Sequence, residues 1–148
     1  KIKINGKECG SNEKSTPIPL NTGKNEVTIE VTAENGDVQK YTVVVVRKDD
    51  DAALSSLTIS GASFQPAFNP EILEYTASVP ESKVSLDVNA VARSANATII
   101  FKLDGKVVEN PHDIIFTGAT ATLVAEVTAG DGSTKKIYTI AITKIADP

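Results

Sequence analysis

Three consecutive aspartates, Asp49, Asp50 and Asp51, form the densest group of chemically capable side chains in this 148-residue sequence. Carboxylate oxygens are the ligands that Ca²⁺ prefers, and the ion takes roughly six to eight of them. Adjacent side chains do not all converge on one ion, so helpers must come from elsewhere, and Glu71, Glu74, Glu81 and Asp131 are the acidic residues considered for that task. No matching ligand spacing accompanies the triplet. It reads first as a solvated acidic hinge, with Asp49, Asp50 and Asp51 as weak metal candidates only. His112 is the single histidine and follows Pro111 in a loop-like stretch, which leaves a general base or zinc site without partners. No G-x-S-x-G, H-E-x-x-H or glycine-rich phosphate loop is present, so the sequence predicts no catalytic residues and no cofactor.

Recognition chemistry is equally sparse. Aromatic residues make up 5% of the chain with no tryptophan, and flat sugar-binding platforms need such rings. Tyr41, Tyr75 and Tyr138 alternate with Val, Ile or Ala, the pattern of core or corner residues. Asn96-Ala97-Thr98 is a glycosylation triplet, but Asn96 opens an apolar strand and the triplet is common by chance. With 15 Lys+Arg against 19 Asp+Glu, the net charge of −4 offers no field for nucleic acid. The longest apolar runs, such as Tyr41 to Val46, fall far short of the roughly 20 residues that span a bilayer. Cys9 is the only cysteine, which excludes an intrachain disulfide. The absence of methionine and the start at Lys1 suit a piece of a longer polypeptide.

Stepping along the chain, period-2 alternation dominates and no window carries a helical apolar stripe. Val27, Ile29, Val31 and Ala33 share one face, and Leu123, Ala125, Val127 and Ala129 repeat it. Asn35-Gly36 and Asp131-Gly132 follow as turn pairs, after which Tyr41, Val43 and Val45, or Tyr138, Ile140 and Ile142, complete the face. Further back, Ile2 to Glu8 matches Phe101 to Val107, each around an Asn-Gly or Asp-Gly pair. Ile137 is one residue extra before the second tyrosine, and a β-bulge is the expected way to absorb it. The repeated order predicts residues 1–48 as the C-terminal half of a truncated β-sandwich repeat, 49–52 as an acidic linker and 53–145 as a complete repeat of about seven strands.

The pattern Leu54-x-x-Leu57-x-Ile59-x-Gly61, then Pro66-x-Phe68-x-Pro70, Tyr75-Thr76, Val127-Thr128-Ala129, Asp131-Gly132 and Tyr138-Thr139-Ile140 resembles the cadherin-like β-sandwich repeats of bacterial surface and secreted proteins. That resemblance implies an all-β chain, a tandem immunoglobulin-like antiparallel β-sandwich, set beside adhesive or carbohydrate-active domains and without enzymatic activity of its own. The acidic D-x-D, D-R-E and D-x-N-D-N runs of calcium-dependent cadherin repeats are missing.

The expected role is therefore a non-catalytic, extracellular or cell-surface module that spaces or presents neighbouring domains of its parent protein, or contributes to adhesion. The alternative is a carbohydrate- or protein-binding module attached to a secreted enzyme, with a glycan or surface protein as partner. Neither reading includes nucleic acid or a membrane span. Residues 1–48 present Val27, Ile29, Val31, Tyr41, Val43 and Val45 without the front strands that would cover them, and Val44 and Val46 make the opposite face apolar as well. A single uncovered sheet does not recover its ordering entropy, so this half is expected to pair with another chain as a homodimer.

Overall fold

Every regular element is a strand, as the alternating patterning predicts. The computed structural model describes residues 1–147, and the chain divides into two units, Lys1–Asp49 and Asp50–Pro148. The first is one four-stranded antiparallel sheet of β1 (Ile2–Ile4), β2 (Lys7–Cys9), β3 (Gly23–Thr32) and β4 (Val38–Arg47), in the order β2-β1-β3-β4.

The β1–β2 turn shows how local sequence closes this sheet. Asn5 and Gly6 adopt φ of 45° and 80° between the paired residues Ile4 and Lys7. Positive φ at both central positions is the two-residue turn whose twist matches the strands, and Asn-Gly is its preferred pair. Asn5 also joins the hairpin to β3, because its Oδ1 accepts from Thr28 N at 2.9 Å while its own N–H donates to Thr28 O at 2.9 Å.

The second unit contains β5 (Leu54–Ile59), β6 (Ser63–Gln65), β7 (Glu74–Pro80), β8 (Ser85–Leu86), β9 (Val88–Ala92), β10 (Thr98–Leu103), β11 (Lys106–Val108), β12 (Ile114–Ile115), β13 (Thr120–Thr128) and β14 (Lys135–Ile145). Six of these form a sheet in the order β11-β10-β13-β14-β7-β6, while β5 pairs with β9 and β12 with β8. Only Asp87 separates β8 from β9; its carbonyl accepts from Ser60 N at 2.9 Å, and Val88 N donates to Pro111 O at 2.8 Å. The two short pairs therefore make one broken second layer. Leu54, Leu57, Ile59, Leu86 and Val88 from that layer meet Leu123, Ala125, Val127, Tyr138, Ile140 and Ile142 from the large sheet in one buried core. One pairing departs from the antiparallel expectation: β7 runs parallel to β14, from Thr139↔Glu74 to Ile145↔Pro80.

The order β2-β1-β3-β4 in the first unit recurs as β11-β10-β13-β14 in the second. Ile29↔Tyr41 corresponds to Ala125↔Tyr138, so the two tyrosines occupy equivalent register positions. The extra residue is not a bulge. Pairing through β13–β14 continues without a shift up to Thr128↔Lys135, and the loop 129–134 is one residue longer than the loop 33–37 that follows Thr32↔Val38. A turn takes up an additional residue without disturbing ladder hydrogen bonds, whereas a bulge breaks one. The second difference lies at β10, whose Asp104-Gly105 turn (φ 48° and 83°) closes on Leu123 rather than on the equivalent of Ile29. That places the turn two residues farther along, and a shift of two leaves every side chain on its original face.

Tyr138 ties the layers together. Its hydroxyl donates to Pro70 O at 2.7 Å and accepts from Leu54 N at 3.0 Å, and the residue is fully buried. Tyr75 does the same locally, donating to Asn69 O at 2.6 Å and accepting from Asn69 N at 3.0 Å. Phe68 stacks on Tyr75 with ring centroids 5.9 Å apart and lies 6.3 Å from Tyr138, while Phe64 meets Tyr75 edge-on at 6.1 Å. The Pro66-x-Phe68-x-Pro70 segment thus caps one end of the core with aromatic rings. Tyr41, the equivalent of Tyr138, is 55% exposed because its own unit has no second layer.

Removing the Tyr138 hydroxyl leaves a buried donor and a buried acceptor unmatched, which costs about 1–3 kcal/mol. Tyr138→Phe is expected to lower the urea midpoint of the second unit accordingly, whereas Tyr41→Phe changes stability by less than about 0.5 kcal/mol. Equal effects of the two substitutions in chemical denaturation would contradict the assignment of Tyr138 as the tie between layers.

Candidate functional site

The acidic triplet does not act as a unit. Asp51 lies at the start of the second unit, where its two oxygens take Arg93 Nε at 2.7 Å and a second guanidinium nitrogen at 3.0 Å, and Oδ1 also accepts from Ala53 N at 3.0 Å. These contacts hold its carboxyl below the usual aspartate range, the bond to Arg93 being the largest cause. Ala52 and Ala53 are buried, so the packed sandwich begins before residue 53, and Asp50 alone of these second-unit residues stays exposed. Asp49 closes the first unit.

Asp50, Asp51, Glu71, Arg93, Lys135 and Lys136 line an open concavity at this end of the sandwich. Lys136 Nζ sits 3.3 Å from Glu71 Oε2. Acids and bases alternate there, and the fork of Arg93 satisfies Asp51 in the bidentate geometry that suits carboxylates best. The cluster fixes the incoming chain segment against the sandwich. Among the described residues, no three His, Cys, Asp or Glu side chains are grouped to hold a cation. Glu74 is exposed on β7, and Glu81 lies at the opposite end of the sandwich, where its N–H donates to Ile145 O at 2.7 Å. His112, the single histidine of the sequence, is exposed, and its Nδ1 is 2.8 Å from Asp87 Oδ1.

Arg93, Lys135 and Lys136 were not flagged by sequence reasoning. Arg93 meets Asp51 from 42 positions away, and only the β5–β9 pairing brings the two together. No local motif carries that information. On the outer face of the large sheet, Glu126 bridges Lys135 at 2.7 Å and Lys102 at 3.2 Å, and these bonds, Lys135 first, hold its carboxyl low.

Asp131 is used by its own turn. Its Oδ1 accepts from Ser133 N at 2.9 Å and Thr134 N at 2.8 Å, and its Oδ2 from the Thr134 hydroxyl at 2.5 Å. The Thr134 hydroxyl and then the two backbone N–H groups favour the ionised form and bring the pKa down to about 2. A carboxyl lowered on folding stabilises the native state above its unfolded pKa of 3.8, and that contribution is lost as pH falls towards about 2. A carboxyl-detected NMR titration should therefore place the Asp131 midpoint near 2 in the native chain and move it upward, but still below the ordinary aspartate range, in Thr134→Val, which removes the hydroxyl and keeps both backbone N–H donors. A native midpoint near 4 would show that the turn does not hold the carboxylate.

Comparison with known proteins agrees with this architecture. The family model described as "Cadherin-like beta sandwich domain" matches residues 1–48 and again residues 54–145. A stretch of 50 residues is 44% identical to a protein of Evansella cellulosilytica described as "Putative membrane protein", covering 34% of this chain and 8% of that protein. The chain thus spans less than a tenth of that relative's length. Among the described residues no helix is long and apolar enough to cross a membrane. Two family matches taking in nearly all of the sequence, over strands arranged in the same order, place this chain in the cadherin-like β-sandwich domain family.

Proposed function

We propose that the chain is a non-catalytic extracellular or cell-surface segment that spaces and presents neighbouring domains of a larger protein. The observation that carries this reading is the placement of the chain's path in the second unit. The incoming residues Asp50 and Asp51 share one concavity with Lys135 and Lys136, the first residues of β14. The polypeptide then leaves past Ile145, at the other end of the same strand. Ten residue steps at about 3.3 Å separate these ends by roughly 33 Å. Entering at one pole and leaving at the other lets each repeat add its length to an array, whereas adjacent termini would add none.

The packing supports a mechanical role. The last strand lies between β13 and β7 in the middle of the large sheet, so tension on the outgoing chain loads hydrogen bonds on both sides of β14. Asp51 and Arg93 anchor the incoming end. The family assignment and the membrane description of the relative from Evansella cellulosilytica favour a surface setting. In this reading residues 1–48 are the closing half of a further copy of the same repeat.

Spin labels introduced by Asp50→Cys and Asp147→Cys in a Cys9→Ser background test the spacer reading by electron–electron distance measurement. A single narrow distribution centred at roughly 30–40 Å is expected. A broad distribution or one below about 20 Å would overturn the spacer role, and specific binding on a glycan array would favour a carbohydrate-binding module instead.

A further inference from the structure

We infer that Asn35-Gly36, at the tip of the β3–β4 hairpin, is a site of self-modification. In the native chain Asn35 deamidates through a succinimide to aspartate and isoaspartate, whereas the fold holds back the other Asn-Gly pair, Asn5-Gly6. The backbone nitrogen of the glycine attacks the side-chain Cγ, and the new N–Cγ bond closes the ring. The Cγ–Nδ2 bond breaks, and Nδ2 leaves as ammonia with the proton given up by the glycine nitrogen. Water from the solvent then opens the ring at either of its C–N bonds. One opening gives aspartate, and the other gives isoaspartate with an additional methylene in the backbone. This reactivity is independent of the spacer role.

Glycine obstructs the attack least, because no side chain shields its nitrogen. Both pairs are exposed, and beyond the adjoining residues no atom lies within 4 Å of the point where a Cβ would stand on Gly6 or Gly36. Open space surrounds both glycines, so bonding decides between the two sites. Ring closure requires the peptide plane after the asparagine to rotate until the glycine nitrogen faces Cγ. At Asn5 that rotation works against β3, because Asn5 N donates to Thr28 O at 2.9 Å and Asn5 Oδ1 accepts from Thr28 N at 2.9 Å. The turn has only Asn5 and Gly6 between the paired residues Ile4 and Lys7, which leaves it no slack.

The bonds of Asn35 stay within its own turn. Its Oδ1 accepts from Asp37 N at 3.0 Å, and its Nδ2 donates to Asp37 Oδ2 at 2.7 Å. The Asp37 N–H draws electron density from the carbonyl under attack, and it travels with the loop. Gly36 N donates to Ala33 O at 3.1 Å, and this is the bond that rotation must release. The bond from Ala33 N to Asp37 O at 2.8 Å and the ladder from Thr32↔Val38 onward stay closed. Opening one exposed turn bond costs less than freeing two bonds to a neighbouring strand. The second unit already carries a carboxylate at the matching place, where Asp131 takes Ser133 N, Thr134 N and the Thr134 hydroxyl. The shorter loop 33–37 offers a new carboxylate at residue 35 the Asp37 N–H and sets it beside the Asp37 side chain. Conversion therefore adds a negative charge at the hairpin tip and removes the donor that now joins Asn35 to Asp37.

The test incubates the full chain in mildly alkaline buffer and follows both sites over time by mass spectrometry. Trypsin puts them on separate peptides, residues 4–7 and 25–40. In the native chain residue 35 should convert about tenfold faster than residue 5, the factor that one additional net hydrogen bond supplies. Both aspartate and isoaspartate should form at residue 35. In concentrated urea, where Thr28 no longer holds Asn5, the ratio should fall towards unity. Asn35→Gln, whose longer side chain closes the ring poorly, should leave residue 35 unconverted over the same period. A native ratio under about twofold, an undiminished ratio in urea, or aspartate as the sole product at residue 35 would each overturn the inference. So would conversion in Asn35→Gln as fast as in the unsubstituted chain.

Discussion

A β-sheet with one apolar face is stable in water only when a second layer removes that face from solvent, and this requirement governs both halves of the chain. In the second unit the broken layer of β5, β9, β8 and β12 lies over the six-stranded sheet, and twenty apolar side chains form a single buried cluster. Burial of each Val, Leu or Ile there is worth roughly 1.5–3 kcal/mol relative to exposure. The first unit repeats the sheet without the layer, and β4 is exposed along almost its entire length. Equivalent residues thus differ in environment because of what is packed against them, not because of their own type.

Tyr138 makes the same contrast in polar chemistry. Inside the sandwich its hydroxyl must be satisfied, and two backbone groups from segments 68 and 84 residues away do so. In the first unit Tyr41 is 55% exposed, so its hydroxyl is under no such requirement. Ion pairs play a secondary part. Those of Asp51, Glu71 and Glu126 are all partly or largely solvated, where screening by water leaves such pairs little net contribution. They orient chain ends and strand edges around a structure held by its core.

Much of the fold can be traced from the sequence because its signals are local. Asn5-Gly6 and Asp104-Gly105 dictate two-residue turns through their tolerance of positive φ, and both turns form with φ positive at each central residue. Alternation at Val27, Ile29 and Val31, and at Leu123, Ala125 and Val127, fixes which face turns inward. The three sequence-flagged aspartates illustrate the opposite case. Their spacing said nothing of Arg93, and the carboxylate of Asp51 was committed to that partner by strand pairing across the second layer. The extra residue near Ile137 was likewise assigned to a bulge, since sequence offsets locate an insertion only between two matched blocks and not within the strand or turn that absorbs it.

The residue order alone determined that this chain is made of strands, that one pattern occurs twice, and that its family is a β-sandwich, because side-chain alternation, turn propensity and repetition are properties of neighbouring residues. Tertiary structure decided the parallel seat of β7 on β14, the hydrogen bonds of Tyr138, the partner of Asp51, and the emergence of the chain at opposite poles. Each of these depends on which distant segments share an edge or a layer, and that choice is made by the burial of whole faces rather than by any short stretch of sequence.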